Sequence, residues 1–137
     1  MKVRIERERL GRDDDPEFHL KLGKGSLSDI EFTVQLLQLR HGVPGAATIA
    51  ALDALVEAGH LPLDEAEVLE EAYRFCERTR NRSFLVVGSG DSLPIRPEQA
   101  TPLARSLGFT VAGLRAEYRR LTRRARRVVE HRFYDQG

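Results

Sequence analysis

The chain has 137 residues, enough for one domain with a core and too few for a second. Its 22 Lys and Arg nearly cancel its 21 Asp and Glu, so the formal charge of +1 provides no bulk attraction to nucleic acid or membrane, and any charge argument is local. The single cysteine, Cys76, excludes an internal disulfide, the N-terminus is too charged for a signal peptide, and no apolar run approaches the roughly 20 residues of a membrane span. The expectation is a cytoplasmic protein with no membrane partner.

Met1 to Leu10 alternates acid and base around Val3 and Ile5, the pattern of the last turns of a helix that begins upstream. The chain is therefore expected to be a piece of a longer protein. Gly11 to Pro16, with Asp13, Asp14 and Asp15, reads as a solvated linker. Residues 1–27 are expected to be a helix end and linker loop, and 28–137 a bundle, together one helical domain. Lys21-Leu22-Gly23-Lys24-Gly25-Ser26 is a glycine-interrupted basic loop that runs into Leu27-Ser28-Asp29-Ile30-Glu31-Phe32, a helix start with two acids. Ser28 and Glu31 have the spacing of a capping box, and Ile30, Val34 and Leu37 recur at helical intervals until Gly42. Phe32, Leu36 and Leu39 form a second apolar stripe, leaving Glu31, Gln35 and Gln38 as a polar strip between the two. Such a helix is expected inside a bundle, with Glu31 partnered, because an unsatisfied buried polar group costs roughly 1 to 3 kcal/mol.

Pro44-Gly45 breaks the chain, and Ile49, Leu52, Leu55 and Val56 predict a short helix closed by Gly59. Asp64 caps the next helix, with a core stripe of Val68, Leu69, Ala72, Phe75, Cys76 and Thr79. Arg74, Arg78 and Arg82 follow Glu70 at steps of four on its flank. Phe84-Leu85-Val86-Val87 is β-prone, Gly88 to Ser92 is a turn, and Pro97 opens a helix that ends before Gly108. The last helix has the clearest period: Val111, Leu114, Tyr118, Leu121, Ala125 and Val128, about 35 Å long. With no strand alternation and no internal repeat, the fold is expected to be an all-α bundle of five to six helices.

Several residues invite functional readings. Gly23-Lys24-Gly25-Ser26 has part of a phosphate loop, but the glycine five residues ahead of Gly-Lys-Ser/Thr and the preceding strand are missing. A turn into a capped helix accounts for it more simply. A weaker version stays open, in which backbone N–H groups at the helix start, with Lys21 and Lys24, hold an anion. Asp29 suits the helix dipole, and Glu31 suits an ion pair with Arg78 better than catalysis. Neighbouring odd positions on a helix point apart, so the two acids do not share a metal. The arginines of the last helix, among them Arg119, Arg123 and Arg127, suit an acidic protein partner better than nucleic acid, since aromatic platforms and a helix-turn-helix spacing are missing. His19, His41, His60 and His131 lack ligand spacing, so no metal site of the chain's own is expected.

Read together, Lys21 with Gly25-Ser26 and Asp29-Ile30-Glu31-Phe32, then Ala72-Tyr73-Arg74-Phe75 leading to Arg78, and Tyr118-Arg119-Arg120 through Arg127-Val128-Val129-Glu130 to Phe133-Tyr134, resemble the C-terminal helical domain of glutamine-synthetase adenylyltransferases. The uridylyltransferases of the nitrogen regulatory protein have a similar domain. The resemblance implies a helical bundle linked to a nucleotidyltransferase head that transfers AMP from ATP to a tyrosine of glutamine synthetase. Magnesium would be held there by head carboxylates introduced by Gly-Ser and Asp-x-Asp. Asp13-Asp14-Asp15 has the letters of that motif without its Gly-Ser, so the chain is expected not to be catalytic alone. By the resemblance, Lys21, Gly25 and Ser26 face the nucleotide phosphates, and Asp29, Glu31 and Arg78 form a polar network behind them. Glutamine synthetase and a nitrogen regulatory signalling protein are the implied partners. Ser26 stands where glycine is common in the family, Arg80 where an acid is common, and Gly45-Ala46-Ala47-Thr48 lacks a frequent arginine.

Overall fold

A computed structural model describes residues 16–133. A 3₁₀ turn at Pro16–Phe18 precedes five α-helices: α1 (Leu27–His41), α2 (Thr48–Glu57), α3 (Leu63–Val86), α4 (Pro97–Ser106) and α5 (Val111–Phe133). Among the described residues there is no strand, only an antiparallel bridge between His19 and Ser92. The all-α expectation holds. The readings of Met1 to Leu10, of the three aspartates and of Tyr134 fall outside the described residues.

Two long helices set the dimensions. The 24 residues of α3 and 23 of α5 each span about 35 Å at 1.5 Å per residue and pack along one another. Their seam buries Leu69, Ala72, Phe75 and Cys76 of α3 and Leu114, Tyr118, Leu121, Ala125 and Val129 of α5. The seam ends on Val129 rather than the expected Val128, because the four-residue step from Ala125 keeps it aimed at the core. Against both helices lies α1, through Ile30, Val34 and Leu37; α2 fills the angle between α1 and α3, and α4 covers α3 and α5. No helix among the described residues is long and apolar enough to cross a membrane.

Four local expectations need correction. Phe18 is 2% exposed and Leu20 0%, so the segment read as linker up to residue 27 contributes to the core. The N-cap of α1 is Ser26, which places Ser28 inside the first turn and removes the proposed Ser28/Glu31 box. Phe32 is 57% exposed and Leu39 84%, so α1 buries a single face and its second apolar stripe lies at the surface. The β-prone Phe84-Leu85-Val86 continues α3 as helix, since the periodic stripe ahead of it propagates into this last turn.

The start of α3 is tied to the end of α5 by a two-pronged pair, with Arg132 Nε and Nη2 donating to Glu65 Oε1 and Oε2 at 2.8 and 2.7 Å. Both side chains are mostly buried, which makes this pair stronger than a surface one. Hydrogen bonding from Arg132 holds the Glu65 carboxyl below its ordinary 4.5 against the opposing effect of burial. A depressed folded-state pKa means stability that is complete above the unfolded value and lost as pH falls through the folded one. Glu65→Gln is therefore expected to lower unfolding free energy by about 1.5 kcal/mol at pH 7. In urea titrations the gap between variant and parent should close as pH drops below about 4.

Candidate functional site

The basic glycine loop folds back onto the helix it introduces. Leu27 N–H donates to the Leu20 carbonyl at 3.2 Å, Ser28 N–H to Lys21 at 2.9 Å, and Ser26 N–H to Gly23 at 3.0 Å. Gly25 N–H donates to Asp29 Oδ2 at 2.8 Å. The amides of residues 25–28, the groups a helix start would offer an anion, are thus all engaged within the chain. Counted from Ser26, Asp29 is the third helical residue, and its carboxylate reaches back past the cap to the Gly25 amide. The chain's own anion occupies the place a phosphate would need. This corrects the reading in which backbone N–H groups hold a ligand.

The loop is also seated on α5. Gly25 has φ +76°, and a Cβ there would run into the Thr122 carbonyl. Tyr118 donates its phenolic proton to the His19 carbonyl at 3.1 Å. Its single proton being committed, the 2.9 Å contact with Ser26 Oγ has serine as donor. Arg126 Nη1 meets Asp29 Oδ2 at 2.7 Å, with Asp29's side chain 6% exposed and Arg126's 19%. Asp29 therefore has a specific cation beyond the helix dipole.

This geometry redistributes the expected site. Gly25 and Ser26 are buried, with the serine hydroxyl against the Tyr118 hydroxyl, so both shape the loop. Lys21 and Lys24 are its exposed cations. Glu31 is half-buried beside Tyr73, whose phenol is raised chiefly by burial and further by Glu31 and Glu77. Arg78 is exposed on α3, along a groove with Phe109 and Glu117, and no Glu31–Arg78 pair occurs among the described residues. The network behind the loop is Asp29 with Arg126, joined by Ser26 and Tyr118. Pairings 92 and 97 residues apart leave no trace in local periodicity. The available signal was Tyr118, a phenol on an otherwise apolar stripe, whose hydroxyl needs a partner when buried.

Most of the arginine excess on α5 is consumed internally. Arg119 pairs with Glu17 at 2.7 Å and, with Arg115, brackets the Phe18 ring at 5.0 and 5.1 Å. Arg120 pairs with Glu117 and Glu71, and Arg124 with Glu71. Of the three arginines expected to meet a partner, Arg123 and Arg127 are exposed and without an acid among the described residues, whereas Arg119 is engaged. The His41 and His60 rings stack at 3.9 Å, an arrangement that keeps their nitrogens from converging on one ion. Among the described residues no three His, Cys, Asp or Glu side chains gather as metal ligands. Burial pushes the Cys76 thiol up to about 12, leaving it unreactive near neutral pH.

The sequence model of GlnD PII-uridylyltransferase matches residues 1–133. The chain belongs to this family. It is 46% identical over 143 aligned residues to the bifunctional glutamine synthetase adenylyltransferase/adenylyl-removing enzyme of Streptomyces avermitilis. The proteins of the same name from Streptomyces coelicolor and Mycobacterium avium are 45% and 42% identical. These alignments cover 97 to 98% of the chain. The chain spans only 14% of the length of these relatives. The Lys21 to Phe32 segment lies within the family match.

The seating of Gly25 can be separated from its backbone angle. Gly42 has φ +66° with nothing within 4 Å of a would-be Cβ, so Gly42→Ala should cost only left-handed strain, about 1 kcal/mol. Gly25→Ala adds collision with the Thr122 carbonyl and should cost about 3 kcal/mol. Equal losses in urea unfolding would refute the seating on α5.

Proposed function

We propose that this chain is the helical domain of a glutamine synthetase adenylyltransferase/adenylyl-removing enzyme, supporting ATP-dependent AMP transfer to a tyrosine of glutamine synthetase without being catalytic alone. The observation that carries this reading is similarity along 98% of the chain to a protein of which it makes up 14%. The loop geometry supports it, because Asp29, Arg126 and Tyr118 hold the basic segment in one shape with Lys21 and Lys24 outward. Two exposed lysines on one loop suit a triphosphate through point-charge attraction. Among the described residues no three ligating side chains converge on one point, and on this reading magnesium would be held by carboxylates of a covalently linked head. A nitrogen regulatory signalling protein would act on this domain through the same parent enzyme. The alternative, an autonomous module binding a partner through the arginines of α5, would draw on Arg123 and Arg127, since Arg119 is paired with Glu17.

In the full-length enzyme, Lys21→Ala is expected to lower AMP transfer roughly 100-fold. Thermal stability should be unchanged, because Lys21 is exposed. Unchanged transfer would remove Lys21 from the phosphate side of the cleft. A native reading frame without a nucleotidyltransferase head would sink the domain reading as a whole.

A further inference from the structure

A groove of about 700 Å³ runs between α3 and α5, on the face of α3 that carries Phe75, Arg78, Arg82 and Leu85. Its second wall is Phe109, ahead of α5, with Leu121. On α3 its lining residues recur at steps of three and four from Glu71 to Leu85, a stretch of about 21 Å. That is the length of about four turns of a second helix. Leu85 is 83% exposed, and its neighbours Phe84 and Val86 are also open at 47% and 41%, an apolar run of the kind that marks an interaction site. The charges along the groove are unequal. Glu71 and Glu117 are neutralised by Arg120 and Arg124 together, and Arg74 by Glu70. What remains is Arg78 and Arg82 against Glu77, two guanidinium groups one helical turn apart. Arg82 gives one N–H to the Ser106 carbonyl, which leaves its charge uncompensated. An occupant matching this surface has apolar residues on one side and acids spaced four apart beside them.

We propose that the groove seats an acidic amphipathic helix from the part of the polypeptide outside this chain, its apolar side on Leu85 and Phe109 and its carboxylates on Arg78 and Arg82. The proposal rests on reading the chain as one domain of a longer enzyme. A source in the same polypeptide is favoured by size. One helix in such a groove is small beside the roughly 800 Å² per partner of free-standing complexes, and a tether supplies a local concentration near the millimolar range. Relatives in which this segment is 14% of the length have ample chain to provide it.

Leu85→Cys tests this. In the full-length enzyme, maleimide modification of residue 85, followed by peptide mass spectrometry, should be at least about tenfold slower than in the 137-residue chain with the same change. Cys76 adds no background in the chain, being buried with its thiol pushed up to about 12. Adding Arg78→Glu to the full-length protein should restore the fast rate. Equal rates in both proteins overturn the proposal, and AMP transfer by the same preparation would leave the domain reading standing. Protection that survives Arg78→Glu overturns the acidic occupant. Protection present in the 137-residue chain and lost on dilution assigns the groove to a second copy and also overturns it. A native frame without further domains removes both readings together.

Discussion

The pair between Asp29 and Arg126 is the constraint on which the loop geometry depends. A carboxylate 6% exposed is costly to hold in place unless its charge is met, and Asp29 is met by a guanidinium and by the Gly25 amide on the same oxygen. Each partner does something different. The amide fixes the turn into α1, and the guanidinium fixes α1 against α5. Because both meet the same carboxylate oxygen, the turn and the helix packing are a single cooperative arrangement.

This arrangement explains why a loop rich in glycine and lysine is rigid. Glycine is needed at position 25 because the backbone is left-handed and passes against the Thr122 carbonyl, leaving no room for a Cβ. Ser26 and Tyr118 then close the far side, with proton donation running from serine to phenol to the His19 carbonyl. The loop is anchored once more where Leu20 N–H donates to the Asp91 carbonyl and Leu93 N–H to Phe18. A segment bonded on three sides presents Lys21 and Lys24 in a fixed relation to the bundle. That preorganisation is what a positioning element needs, since ordering a loop at the moment of binding costs roughly 1 to 2 kcal/mol per residue.

The helices were legible in the sequence because their burial is one-sided and periodic; α2 and α4 fall where Ile49 to Val56 and Pro97 to Leu107 placed them. Errors arose where periodicity was read without a partner. Phe32 and Leu39 fit an apolar stripe as well as Ile30 and Val34 do, and only the positions of α2, α3 and α5 decide which stripe is covered. The site was legible as a segment and illegible as a mechanism. Its residues stood out as a motif, but the ligand of the helix start, Asp29, and the cation behind it, Arg126, are joined across 97 residues. The burial of Ser26 and Gly25 was illegible for the same reason, because burial is a property of the whole bundle.

Charge on α5 shows how composition and structure can point in different directions. A run of arginines reads as a footprint for an anionic partner, yet five of them, Arg119, Arg120, Arg124, Arg126 and Arg132, pair with acids of the chain itself. The acids lie on the 3₁₀ turn, α1, α3 and α5, so the helix serves as a cationic spine to which other elements are fastened. Arginine suits that task better than lysine because its planar fork can hold two acceptors at once, as Arg126 does with Asp29 and Glu130. Among the outward cations are Lys21 and Lys24 on the loop, Arg123 and Arg127 on the crest of α5, and Arg78 and Arg82 along the α3 groove. Exposed and without an acid among the described residues, Arg123 and Arg127 can be substituted with little effect on the fold, unlike the five arginines that fasten α5 to its neighbours.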